Sequence, residues 1–154
     1  MRFLLASLIG LCAGPALAEP APIAVTGHVG HPGTLSAGAL AALPQADVEI
    51  SFEAGHEEKG LHFSGPLLWA VVSDAAPADE PGQHTKLLHT IIAHGQDGYS
   101  VVLALGEIDP RLEGKQAIIA TAQDGKPLAS YRLIVPGDKH ASRAVRNLVG
   151  IEIK

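Results

Sequence analysis

Leu87-Leu88-His89-Thr90-Ile91-Ile92-Ala93 and Tyr99-Ser100-Val101-Val102-Leu103-Ala104-Leu105 are two strongly apolar runs joined by His94-Gly95-Gln96-Asp97-Gly98. Short, β-branched runs bounded by turn residues read as strands. The join reads as a five-residue hairpin-like loop, with Gly95 and Gly98 free to take positive φ. Both faces of the second run are apolar, which predicts a central strand.

Upstream of this pair, Ile23 to Val29 alternates as a first strand closed by the Gly30-His31-Pro32-Gly33 turn. Leu35, Ala39, Leu40 and Leu43 recur at helical spacing, which predicts a helix from Thr34, as cap, to Leu43, stopped by Pro44. Val48, Ile50 and Phe52 alternate with polar residues as a strand, and Glu53 to Gly60 reads as a loop or hairpin end. Leu61-His62-Phe63 returns as a strand, Ser64-Gly65 as a turn, and Pro66 as the first turn of a helix carrying Leu67, Leu68, Val71 and Val72. Ala75 to Gln83 is loop. Downstream, Gln116 to Ala122, Ser130 to Val135 and Leu148 to Ile153 read as strands. Asp124-Gly125 is a turn, and Asp138 to Asn147 is a basic loop or one helical turn. Seven or eight short strands and two short helices, without regular strand-helix alternation, predict a β-rich α+β domain.

The chain has 154 residues, enough for one domain rather than two. Its 47% hydrophobic content supports a filled core and argues against disorder. A formal charge of -5 disfavours a phosphate-neutralising surface, so no nucleic-acid partner is expected.

Arg2, the apolar run Phe3 to Ala13 and Ala16-Leu17-Ala18 have the three parts of a secretory signal. The run is too short for a membrane span, which takes roughly 20 residues. Residues 1–18 are therefore expected to be removed near Ala18 and the protein to be periplasmic or secreted, with a 19–22 linker, a 23–154 domain and no membrane span in the mature chain. Cys12, the single cysteine, goes with the leader. The exported domain then has no disulfide, no thiol nucleophile and no sulfur ligand for a metal.

His56 and His62 are six apart, against the four a zinc-protease helix requires. His28 with His31, or His84, His89 and His94, fit no tight ligand motif, so no metal site is expected. Gly27, Gly30 and Gly33 lack dinucleotide-loop spacing, and no nucleophile elbow is present. No residue is assigned a catalytic role. The strongest local signal is Lys139, His140, Arg143 and Arg146 after Pro136-Gly137, in a chain with only 11 basic residues. Arg143 and Arg146 would share a face on a helical turn, and forked guanidinium groups bind oxyanions at two points. The competing reading is a solubilising loop whose arginines pair with carboxylates.

The order Phe63-Ser64-Gly65-Pro66-Leu67-Leu68, Asp97-Gly98-Tyr99, Asp124-Gly125-Lys126-Pro127-Leu128, Arg132 to Asp138, and Ser142-Arg143-Ala144-Val145-Arg146-Asn147 resembles the sulfite-oxidase-type molybdopterin-binding domain. The small, single-domain secreted bacterial members are the most similar. The resemblance covers nearly all of Ile23 to Lys154 and implies a β-rich α+β fold. It also implies a pterin- and phosphate-holding role for Arg143 and Arg146, with Pro136 and Gly137 shaping the loop and His140 beside them. The family's enzymes anchor molybdenum through a cysteine after an early strand, and the corresponding Phe52 to His62 contains none. The expectation is a cofactor-free module that binds a small anion or a protein partner. The alternative is an oxidoreductase, or a subunit of one, that binds molybdopterin without a cysteine ligand.

Overall fold

The computed structural model describes residues 19–54, 57–79 and 85–154. The expected leader, His56 and His84 lie outside the described residues.

Among the described residues nine strands form two sheets. β1 (Ile23–Gly27), β2 (Gly33–Leu35), β5 (Thr90–Gly95), β6 (Ser100–Ala104) and β9 (Leu148–Ile153) make a five-stranded sheet in the order β2-β1-β9-β5-β6. β3 (Gln45–Ala54), β4 (Glu57–Pro66), β7 (Ile118–Gln123) and β8 (Lys126–Ile134) make a four-stranded sheet in that order. Only β1 and β9 pair in parallel. Three short helices, α1 (Ala37–Ala42), α2 (Leu68–Asp74) and α3 (Leu105–Ile108), and two 3-10 turns at Thr85–Leu88 and Ala141–Arg143 complete the described elements. This is the mixed, β-rich α+β class read from the sequence.

The main core fills the space between one face of each sheet. Ile23, Val25, Ile91, Ala93, Leu103, Ile151 and Ile153 supply the five-stranded side, and Ile119, Tyr131 and Leu133 face them from β7 and β8. Leu40 of α1 and Leu68, Val71 and Val72 of α2 close its ends. On the other face of the four-stranded sheet Val48, Ile50, Phe63, Ile118, Ala120 and Ile134 make a second cluster. Consecutive Ile118, Ile119 and Ala120 are all fully buried, so β7 is the strand covered on both faces.

That place had been expected for the Tyr99 to Leu105 run. Instead β6 is an edge strand whose residues alternate exposed and buried, with Val101 and Leu103 inward and Val102 55% exposed. Apolarity on both faces misled because only the inward face is covered. Leu87 and Leu88 likewise belong to a 3-10 turn rather than a strand.

Three further expectations change. Thr34 pairs with Ala24 in the sheet, and the α1 cap is Ser36, whose Oγ accepts the Ala39 N–H at 3.3 Å. Glu53 to Gly60 belongs largely to the arms of a long β3–β4 hairpin. Ser64 and Gly65 continue β4 without turning. A Cβ on Gly65 would come 2.1 Å from the Ile119 carbonyl oxygen, so the glycine marks a close backbone approach. Asp124-Gly125 does turn the chain: φ values of 49° and 74° join β7 to β8 in the two-residue manner that matches strand twist.

Candidate anion-binding site

The loop 135–147 leaves the end of β8 and returns into β9. Gly137, at φ 84°, bends the chain away from the sheet, and His140 precedes the 3-10 turn at Ala141–Arg143. Val145 is the anchor. It is fully buried, and its carbonyl accepts the Leu133 N–H at 2.9 Å. Asn147, at φ 49°, turns into β9; its Oδ1 accepts the Ser130 hydroxyl at 2.6 Å and its carbonyl the Gln96 N–H at 2.9 Å. From the β5–β6 connection, the Tyr99 hydroxyl donates to the Ser142 carbonyl.

The helical turn ends at Arg143, and Val145 inserts into the core between the two arginines. The conditional expectation of one shared helical face is therefore not met. Arg143 donates from Nε and Nη2 to the two Asp138 oxygens, at 2.8 and 2.6 Å, and from Nη1 to Glu107 Oε2 at 2.8 Å. Asp138 is held below the ordinary carboxylate range, chiefly by the Arg143 hydrogen bonds. For Glu107, burial pushes upward, but Arg143, the Ala104 N–H and Lys115 outweigh it and the net shift is downward. The same two carboxylates raise Arg143, keeping it charged. Arg143 thus pins the loop to α3.

Arg146 is exposed and lines a cavity of about 350 Å³ with Arg132, Tyr99, Leu61, Phe63 and Ile134. Arg132 Nη1 donates to Gln123 Oε1 at 3.2 Å, while its Nε is buried with no hydrogen-bond partner. Among the described residues no carboxylate lies within ion-pair distance of Arg132 or Arg146. Neither Arg143, His140 nor Gly137 lines this cavity; His140 and Gly137 sit exposed on the loop above. Arg132 was not singled out as a site residue. The available signal was a lone cation inside the apolar strand Tyr131-Arg132-Leu133-Ile134.

A cavity of about 390 Å³ beside Trp69 and Leu105 is bordered by Arg111, whose Nε and Nη2 are already bound to Asp109 at 3.0 and 2.6 Å. The described histidines do not converge. His89 is buried, with Nε2 against Asp79 Oδ1 at 3.1 Å and Nδ1 against the Lys154 carbonyl at 3.3 Å. His94 faces the other side of the sheet, where Ser100 Oγ lies 2.9 Å from Nδ1 and Glu152 Oε2 lies 3.1 Å from Nε2. Among the described residues no three His, Cys, Asp or Glu side chains are grouped to hold a metal. No helix among them is long and apolar enough to cross a membrane.

No protein-family model and no curated sequence matches the chain. Among solved structures, the sulfane dehydrogenase SoxCD from Paracoccus pantotrophus aligns with a TM-score of 0.68 at 14% identity, over 86% of this chain and 38% of that one. The likeness is one of fold. It agrees with the expected β-rich α+β fold and with the resemblance at the level of fold alone, and this chain spans well under half the length of that neighbour.

Proposed function

We propose that this protein is an exported single-domain module that binds a small oxyanion, or the acidic group of a protein partner, in the Arg132/Arg146 cavity. The observation that carries the reading is a pair of guanidinium groups lining one cavity without carboxylate partners among the described residues. The orphaned Arg132 Nε adds a buried donor whose pairing by a ligand oxygen would recover roughly 1–3 kcal/mol of desolvation cost. Leu61, Phe63 and Ile134 lower the polarity around both cations, which strengthens a charge-assisted bond there. Arg143 acts as a positioning residue, holding the loop that carries Arg146. The leader expected at residues 1–18 from the sequence supports a periplasmic or secreted location.

The residues present do not fit molybdenum held by a protein thiolate. The only cysteine is Cys12, in the expected leader, and β4 contributes Leu61 and Phe63 to the cavity. The fold neighbour nevertheless favours a second reading, an oxidoreductase or subunit that binds molybdopterin without a cysteine ligand.

Two measurements separate these readings. Calorimetry with phosphate and with sulfate is expected to show binding that falls at least tenfold in Arg132→Met and in Arg146→Ala, while thermal melts remain cooperative; unchanged binding would refute the site. Metal analysis and pterin fluorescence on protein recovered from the periplasm of a cofactor-competent host are expected to be blank. Stoichiometric molybdenum would overturn the cofactor-free reading.

A further inference from the structure

The cavity of about 390 Å³ beside Trp69 is separate from the Arg132/Arg146 site and shares no lining residue with it. Its size is that of a small-molecule site. Trp69, Ala76, Pro77 and Leu105 give it apolar walls, Ser73 adds a hydroxyl, and among the described residues that line it Arg111 alone is charged. Trp69 is half-buried, packed against the main core. Ala76 stands at φ 52°, a left-handed conformation that residues with a side chain rarely take. It is held there by the Gly30 N–H, which donates to its carbonyl at 2.8 Å, and by its own N–H, which donates to the Ser73 carbonyl at 3.2 Å. Backbone strain of this kind gathers at ligand clamps, and here it falls in the wall formed by Ala76 and Pro77.

A second arginine in this protein shows what the edge of the cavity is built to hold. Arg143 carries one carboxylate, Asp138, on Nε and Nη2, and another, Glu107, on Nη1 at 2.8 Å. Arg111 repeats the first half of that arrangement, with Nε and Nη2 on Asp109 at 3.0 and 2.6 Å. Asp109 is buried and its Oδ1 also accepts the Arg111 N–H at 2.9 Å, so the guanidinium is fixed in orientation. The second half differs: among the described residues nothing accepts from Arg111 Nη1, and the side chain is 66% exposed. We propose that this cavity binds an aromatic monocarboxylate, its ring against Trp69 and Leu105 and its carboxylate on Arg111 Nη1, as Glu107 sits on Arg143. A carboxylate matches the remaining guanidinium donor in charge and in hydrogen bonding. Asp109 already brings one negative charge to that guanidinium, so a singly charged head suits it better than a dianionic phosphate. The ring follows from the walls, because an inorganic anion would leave them uncovered, and Trp69 offers an aromatic surface on which a flat group packs.

Trp69 is the only tryptophan in the chain, so its emission reports on this cavity and not on the Arg132/Arg146 one. Titration with phenylacetate is expected to change that emission saturably below about 10 mM, a range suited to a fragment-sized ligand. No response overturns the proposal. Phenylacetamide keeps the ring without the charge, and acetate keeps the charge without the ring; each is expected to bind at least tenfold more weakly. Either one binding as tightly as phenylacetate overturns the joint recognition of ring and carboxylate. Arg111→Met is expected to weaken phenylacetate at least tenfold, and equal binding overturns the role of Arg111. Because that variant strips the buried Asp109 of its partner, a nuclear magnetic resonance titration of the wild-type protein gives a check that does not depend on its folding. Shifts are expected to centre on the Trp69 indole N–H and the Ser73 and Ala76 amides. Shifts centred instead on Tyr99 and Arg146 overturn the assignment and move the carboxylate to the other cavity. Saturating phosphate is expected to leave the Trp69 response to phenylacetate unchanged, and competition between the two overturns the independence of this site.

Discussion

Replacing Arg143 with alanine removes three charge-assisted hydrogen bonds, all at 2.6–2.8 Å, and leaves Asp138 and Glu107 with Lys115 as the remaining cation bonded to either. The three side chains are 28%, 20% and 24% exposed, so the cluster lies between a surface ion pair and a buried one. Exposed pairs contribute about 0–1 kcal/mol, and breaking buried ones costs about 3–5 kcal/mol, so the expected loss is about 2–3 kcal/mol. For a domain of this size that lowers Tm by roughly 6–12 °C. Both carboxylates have folded-state pKa values below their unfolded ones. Their contribution is therefore fully present above the ordinary carboxylate range, about pH 4, and is lost as pH falls through the lower folded values. Calorimetric melts of wild type and Arg143→Ala should differ by a constant amount from pH 8 to about 5 and draw progressively together as the pH falls below the ordinary carboxylate range of about 4. Equal Tm values at pH 7, or a gap that persists undiminished at pH 2.5, would refute the assignment of Arg143 as the pin between loop and α3.

The companion substitution Arg146→Ala removes an exposed, unpaired guanidinium and should leave stability within about 0.5 kcal/mol of wild type by chemical denaturation, in contrast to its effect on anion binding. Tyr131→Phe deletes a buried hydroxyl that has no hydrogen-bond partner, so Tm should hold or rise; a loss above about 1 kcal/mol would reveal a bond the hydroxyl makes in solution. Gly65→Ala drives a methyl onto the Ile119 carbonyl and should cost about 2–3 kcal/mol or block folding, read as a fall in Tm or in soluble yield.

Strand existence was legible wherever alternation or a turn pair was strong. Val48, Ile50 and Phe63 reappear as one side of the second cluster, and Asp124-Gly125 turns as read. What failed was anything decided by a neighbour distant in sequence. Ser64-Gly65 carries a local turn signature, yet the glycine is there because β7 passes within contact of its α-carbon. Thr34 is a good helix cap in isolation, but Gly33 to Leu35 find partners on β1, so the cap moves to Ser36. The rank of β6 in its sheet depends on where β9 inserts, between β1 and β5, after a return of more than forty residues. No periodicity within β6 could report that.

The candidate site divides along the same line. The basic cluster was visible as composition, because Arg143 and Arg146 are neighbours in sequence, but their fates are set by Val145. Its side chain is apolar enough to be drawn into the core beside Leu133, and burying it turns the residues on either side apart. Arg143 is left against Asp138 and Glu107, where it meets two carboxylates and forms a structural pin. Arg146 is left over the cavity whose second cation, Arg132, arrives on β8 by strand alternation with Ile134. One basic segment thus yields a neutralised arginine and an available one. The proposed anion site rests on the pairing of a loop arginine with a strand arginine, and the family resemblance alone, which weights Arg143 and Arg146 equally, does not distinguish them.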